Sequence, residues 1–301
     1  MPNTHPSLPH FELIQPATLK EASQFLSLHP EDARPFLGGT DIFVRLRDGH
    51  LKLDTLVNIK NIPGMDTLSF DPKTGLTIGS AVPMNRVIAL PEAQTHYPLL
   101  VEAARSVASY QLRNRATIVG NICNASPAGD TSGASLLYKG ELNVYSTSGE
   151  RQIPLEDFFV GPGKTALKPG EIVTSIHFPL PPQGHQGKYL KLGRNTISDL
   201  SIVGVAVLGY IDDSAKSKFR FRIALASVAP VPLIARDAEE ILASQPLSNA
   251  VITKAAEAAM NTCHPIDDVR SSAAYRQAMV FRLTYRAVNE VWQRFQKTAK
   301  S

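Results

Sequence analysis

Two short glycine-bearing segments carry the chemistry legible in this chain: Phe36-Leu37-Gly38-Gly39-Thr40-Asp41 and Thr117-Ile118-Val119-Gly120-Asn121. Glycine tolerates positive φ and lets a ligand come close to the backbone. Successive N–H groups in a turn form a concave anion site. Two such turns, far apart in sequence, could clamp one pyrophosphate, which points to a dinucleotide. The usual ways of holding one are missing. There is no Gly-x-Gly-x-x-Gly, so a Rossmann fingerprint is excluded. The nearest approach to a phosphate loop is Gly161-Pro162-Gly163-Lys164-Thr165, but Phe158 stands where that loop needs its first glycine. Lys168-Pro169-Gly170 would also break the helix such a loop must feed. That stretch reads as a turn.

The elements that must position these turns follow from the sequence pattern. At 301 residues, the chain has room for roughly two domains. Thr18-Leu19-Lys20-Glu21 has the form of a capping box, with Leu19, Ala22, Phe25 and Leu26 on one helical face until His29-Pro30. Strands over 34–37 and 53–59 complete a small β-α-β-(α)-β unit up to about residue 60. Strands over 66–70 and 76–81 flank the turn sequence Asp71-Pro72-Lys73-Thr74-Gly75. A helix over 99–108 delivers the chain to the second glycine turn, Asp130 is placed to cap a helix to Tyr138, and strands over 142–146 and 172–178 follow. The run Pro179-Leu180-Pro181-Pro182-Gln183-Gly184 marks a domain boundary, giving domains 1–182 (subdomains 1–60 and 61–182) and 183–301. The second domain opens with strands over 189–193, 202–211 and 219–226, ends its sheet at Pro230-Val231-Pro232, and finishes helical, with a long helix over 272–295.

Bulk properties narrow the classes. A net charge of +4 from 31 basic and 27 acidic residues, without a dense basic run, gives no support to nucleic-acid binding. No stretch is apolar enough to span a membrane. Cys123 and Cys263 form no Cys-x-x-Cys pair, and no metal-ligand spacing occurs. Residues 1–10 lack the basic and apolar parts of a signal peptide, so a reduced cytoplasmic setting is expected. No acid–base pair stands out, and no catalytic residue is assigned.

Leu37-Gly38-Gly39-Thr40-Asp41 resembles the AGGTD signature, and the run Thr117-Ile118-Val119-Gly120-Asn121-Ile122-Cys123-Asn124-Ala125-Ser126-Pro127-Ala128-Gly129-Asp130 resembles TIGGNIANASPAAD. Both belong to the FAD-binding subunit of molybdenum hydroxylases, the xanthine dehydrogenase and aerobic carbon monoxide dehydrogenase family. The resemblance extends through Tyr189-Leu190-Lys191-Leu192-Gly193-Arg194, Asp199-Leu200-Ser201-Ile202-Val203 and Ala226-Ser227-Val228-Ala229-Pro230, and so covers nearly the whole chain. It implies an α+β architecture: a two-subdomain FAD-binding fold of the vanillyl-alcohol-oxidase (PCMH) type, then a smaller α/β C-terminal domain of the CO dehydrogenase flavoprotein type. It also implies non-covalent FAD. Molybdopterin would sit on a large partner subunit and [2Fe–2S] clusters on a small one, with electrons passing through FAD to an external acceptor such as NAD, a quinone or oxygen.

The resemblance implies roles residue by residue. The backbone from Phe36 through Leu37, Gly38, Gly39, Thr40 and Asp41 to Ile42, and that of Thr117, Ile118, Val119, Gly120 and Asn121, would cradle the pyrophosphate, with hydroxyls from Thr40 and Thr117. Asp130 matches an acid that contacts the cofactor, Val173 an apolar residue packed on FAD, and Lys191 a basic residue near the flavin ring that favours its reduced anionic form. Leu37 stands where alanine is common and Val119 replaces the first glycine of the GGN pair, so either could crowd the phosphates. From residue types alone, Asp130 reads equally well as a helix cap, Lys191 as a solvated strand lysine and Cys123 as a small buried side chain. A free-standing flavin oxidoreductase of the same fold type is the alternative enzyme, and a flavin-free scaffold the non-catalytic one. The 4-hydroxybenzoyl-CoA reductase branch is excluded, since two cysteines cannot supply four thiolates to a [4Fe–4S] cluster.

Overall fold

A computed structural model describes residues 7–195 and 199–298. The first part is a β-α-β-α-β unit: β1 (Glu12–Ile14), α1 (Leu19–Leu28), β2 (Ala33–Phe36), α2 (Ile42–Arg47) and β3 (Thr55–Asn58). Its strands run parallel in the order β1-β3-β2. Thr18 caps α1 by accepting from the Glu21 N–H at 3.2 Å, and Glu21 Oε2 accepts from the Ala17 N–H at 2.9 Å. Losing such a cap typically costs about 1 kcal/mol.

The second part comprises β4 (Leu68–Asp71), β5 (Gly75–Gly79), α3 (Met84–Ala89), α4 (Pro91–His96), α5 (Pro98–Arg105), α6 (Tyr110–Arg113), α7 (Ile118–Cys123), α8 (Asp130–Leu137), β6 (Glu141–Ser146), β7 (Gly149–Pro154), β8 (Phe159–Gly161), β9 (Lys164–Thr165) and β10 (Ile172–Phe178). Five of these strands form an antiparallel sheet in the order β4-β5-β10-β6-β7. Asp71 Oδ1 makes the β4–β5 turn by accepting from the N–H groups of Lys73 and Thr74 at 2.7 and 2.9 Å. Strand β7 escaped the sequence reading because its run GERQIP buries only Ile153. The stretch read as a turn at 161–165 is one, closing the β8–β9 hairpin.

The third part holds β11 (Gln186–Leu192), β12 (Val203–Ile211), β13 (Phe219–Ala226), β14 (Leu233–Ile234), α9 (Arg236–Ser244), α10 (Asn249–Asn261) and α11 (Ala273–Thr298). The sheet is antiparallel, in strand order. It does not end at Pro232: the prolines cannot donate to a ladder, but Leu233 and Ile234 resume pairing with Leu225 and Ala224. Residues alternate between its faces. Val205, Val207, Ile223 and Leu225 pack with Val280, Val288 and Val291 of α11, whereas Ala206, Leu208 and Ala224 join the core built on α5 and α8.

Helix α8 is therefore enclosed, and all eight of its residues are buried. Small side chains make this possible. A Cβ on Gly133 would already lie 3.4 Å from Ala206 Cβ and 3.5 Å from Ala224 Cβ. The start of α8 is thereby pressed against the C-terminal sheet.

The core also contains Tyr97, fully buried, whose hydroxyl is 3.0 Å from the Phe178 carbonyl and 3.1 Å from that of Pro179. It ties α5 to the end of β10, where the chain leaves for the third part. Tyr97→Phe keeps the ring and strands both carbonyls. We expect a loss of about 1–2 kcal/mol, read as a lower urea midpoint with an unchanged slope.

Candidate functional site

A cavity of about 710 Å³ lies where the three parts meet. This is within the range of about 300–1,000 Å³ usual for small-molecule sites. One wall is the β2–α2 loop, the opposite wall is the start of α7, and β10 contributes the floor. Phe36, Leu37, Gly38, Gly39, Thr40, Asp41, Ile42, Thr117, Val119, Gly120, Asn121, Asp130 and Val173 all line it, whereas Ile118 and Lys191 do not. Sequence reading thus located both walls.

The β2–α2 loop is a row of exposed donors. Among the described residues, no N–H group from Leu37 through Ile42 donates to a protein acceptor. None of residues 37–42 is buried, so these six donors are left to water or to a ligand with several acceptor atoms. The glycines answer to protein packing as well as to the positive φ expected of them. A Cβ on Gly38 would collide with the Arg115 carbonyl and lie 2.8 Å from its carbon. Gly39, at φ +76°, has its open side against Phe36 and Phe43, 2.7 and 2.8 Å from where a Cβ would be. Gly38 thus lets the loop close on the segment that leads into α7, and Gly39 makes room for the rings of its own wall.

The second segment is not a turn. Thr117 caps α7, its Oγ1 accepting from the Gly120 N–H at 2.8 Å. A sequence of isoleucine, valine and a capping threonine favours this helix start over a glycine nest. The Thr117 hydroxyl keeps its own proton to donate. Gly120 is the open position, since a Cβ there would meet only Thr117 Oγ1, at 2.9 Å. Asn121 Oδ1 accepts from the Thr131 hydroxyl at 2.7 Å and fastens α7 to α8. The two departures from the family pattern both touch the cavity while packing inward: Val119 is fully buried in the main core, and Leu37 packs against the cluster around α1.

Asp130 is not a cap either. It is the first residue of α8, after Gly129, and makes no capping bond. Its Oδ1 accepts from the Tyr189 hydroxyl at 2.8 Å and its Oδ2 from Lys191 Nζ at 2.7 Å. Burial pushes the carboxyl above its usual range, against the pull of the Lys191 ammonium and the Tyr189 hydrogen bond. Lys191 also donates to the Ser106 carbonyl at 3.2 Å, so it reaches the cavity only through Asp130. The Cys123 thiol is pushed up to about 12 by burial, and both cysteines are free.

Some lining residues carried no signal in the sequence. Arg34 lies just before the first motif, with Nη1 tied to the carbonyls of Pro30 and Ala33 at 2.6 and 2.8 Å. Arg45 reaches the wall from α2 with no local pattern to mark it, while Gly163 and Lys168 reach it from the stretch read only as a turn. Among the described residues, no group of three or more His, Cys, Asp or Glu side chains is placed to hold a metal. Among the described residues, no helix is long and apolar enough to cross a membrane.

A cavity lined by open backbone donors from one chain segment and a helix start from another suits an anionic ligand with several acceptor atoms. Residues 9–181 match the FAD binding domain in molybdopterin dehydrogenase, and residues 188–291 match the CO dehydrogenase flavoprotein C-terminal domain. The chain belongs to this family of molybdenum hydroxylase flavin subunits, and FAD is its cofactor. It is 31% identical over 286 residues to the carbon monoxide dehydrogenase medium chain of Hydrogenophaga pseudoflava, covering 95% of this chain and 98% of that one. It is 30% identical over 275 residues to the xanthine dehydrogenase FAD-binding subunit of Escherichia coli O157:H7, covering 91% and 93%. A solved structure of carbon monoxide dehydrogenase from Hydrogenophaga pseudoflava superposes with a TM-score of 0.90 at 32% identity, over 96% of this chain and 99% of that one. The expected two-domain flavoprotein architecture is the one found, and the chain is an oxidoreductase subunit.

The two glycine walls respond differently to a methyl group. Gly38→Ala pushes against backbone that cannot yield, so unfolding temperature and cofactor content should fall together. Gly120→Ala should cost only the Thr117 cap, about 1 kcal/mol, and should weaken the ligand more than the fold. Thermal unfolding without FAD, beside FAD titration, separates the two.

Proposed function

We propose that this chain binds FAD non-covalently and serves as the electron-transfer subunit of a molybdopterin-dependent hydroxylase. The observation that carries the reading is the row of free N–H donors from Leu37 to Ile42 facing the α7 start across one cavity. An anion bridging those walls would satisfy donors the protein leaves open. In this reading the backbone of Phe36–Ile42 and of Thr117–Asn121 holds the pyrophosphate, with hydroxyls from Thr40 and Thr117. Val173, 5% exposed on β10, gives an apolar bed, and Asp130 gives a fixed polar contact. Bound FAD supplies a redox centre that accepts electrons from [2Fe–2S] clusters of a small partner subunit and returns them to an external acceptor, NAD, a quinone or oxygen. The substrate is oxidised at a molybdopterin centre in a large partner subunit. The names of the relatives, a medium chain and an FAD-binding subunit, support such partners. The free cysteines are consistent with a cytoplasmic setting, and the domain boundary near residue 182 is supported by the spans of the two family matches.

Two measurements test this. Acid precipitation of the native chain should release FAD in equimolar amount, leaving colourless protein. A native chain that is colourless and takes up no added FAD would sink the reading. The isolated chain should also fail to turn over purines, aldehydes or aromatic substrates with an artificial acceptor, because in this reading the molybdenum centre that oxidises them lies in a partner subunit. Turnover without partners would favour a free-standing flavin oxidoreductase.

A further inference from the structure

Asp130 is a cofactor-facing group held by another part of the molecule. Tyr189 and Lys191 stand two residues apart on β11, so they project from the same face. They approach Asp130 together, one on each carboxylate oxygen, at 2.8 and 2.7 Å. A carboxylate rotates easily about its terminal torsion. Two donors on separate oxygens fix its plane, and two of its roughly four acceptor directions stay open.

The hydroxyl of Tyr189 is itself placed with care. The side chain is 5% exposed, and its ring lies across Gly204 of the neighbouring strand, where a Cβ would come within 2.9 Å of the hydroxyl oxygen. β11 is the edge strand of its sheet. The Tyr189 N–H turns outward and donates to Glu102 Oε2 at 2.8 Å, while Lys188 Nζ holds Glu102 Oε1 at 2.7 Å. The strand that carries both donors is therefore pinned to α5. A buried tyrosine hydroxyl needs some partner. Here the partner is a carboxylate on the cavity wall, one that a cation from the same strand already neutralises.

We propose that Tyr189 is a positioning residue of the cofactor site: with Lys191 it fixes the Asp130 carboxylate at the cavity wall, so that the C-terminal sheet completes the FAD site. This rests on the flavin reading above. Burial favours the neutral carboxyl, and the two donors oppose that preference. Losing one would leave Asp130 freer both to turn and to take up a proton.

A double-mutant cycle on the full-length chain tests the role, with FAD dissociation constants read from flavin fluorescence. Tyr189→Phe keeps the ring and removes only the hydroxyl, and should weaken FAD about tenfold, the scale of one hydrogen bond to a charged group. In an Asp130→Ala background the same change should matter less than about twofold, because its target is gone. Gly204→Ala, which crowds the hydroxyl off Asp130 without removing it, should reproduce the loss. Equal losses from Tyr189→Phe in both backgrounds would mean that Tyr189 acts by packing alone, and would overturn the proposal. So would unchanged FAD affinity in Tyr189→Phe, or in a folded Gly204→Ala chain should Tyr189→Phe not fold. Failure of the unaltered chain to bind FAD would instead defeat the flavin reading.

Discussion

The site is governed by a backbone constraint: polar groups taken from water must find partners. Among the described residues, the six N–H groups from Leu37 to Ile42 go to no protein acceptor, on residues that line one cavity. Those of Thr40, Asp41 and Ile42 belong to the turn that opens α2, where the Phe43 N–H is bonded to the Gly39 carbonyl, and a helix leaves its first donors without internal partners. Gly38 is drawn against the Arg115 carbonyl and Gly39 holds φ +76° beside two phenylalanine rings. Packing thus fixes the loop that leads into the helix, and its open donors are what an anion can use. The second wall obeys the same rule differently, with Thr117 closing the Gly120 donor and the helix keeping the rest in order.

Positioning the walls depends on a helix of unusual situation. α8 is short and entirely buried, with Gly133 facing two alanines of the C-terminal sheet. Its lack of bulk lets the sheet approach within reach of Asp130. Larger residues at 133, 206 or 224 would move Tyr189 and Lys191 away from Asp130. The third part of the chain thus holds a residue of the cavity wall in place, besides lending Asp199 and Leu200 to the lining. This explains why a core cluster mixes Tyr189, Ala206 and Ala224 with residues from α5 and α8.

Much of this was legible in the residues, and the misses have physical causes. The capping box at Thr18, the Asp71 turn and the strand at Phe219–Ala226 depend on local chemistry and appear where the pattern puts them. The cavity walls were legible because glycine and threonine in these combinations have few local uses. The reading failed where tertiary contacts decide. The segment at Thr117 looked like a glycine turn, yet capping and apolar burial make it a helix. Asp130 looked like a cap because caps are the local use of an aspartate there, but its partners lie some sixty residues on. β7 has too few apolar residues to announce itself and is held by its register with β6.

The cavity wall presents two kinds of polar group, and they respond differently to pH. Backbone N–H groups at the loop carry no proton to lose at any ordinary pH, so what they offer an anion is constant. The Asp130 end is a buried, compensated ion pair, whose charge depends on geometry as much as on acidity. An anion meeting the loop would thus be held by a field that does not change with pH, whereas a group beside Asp130 would meet a wall whose charge the protein sets by the placing of Tyr189 and Lys191.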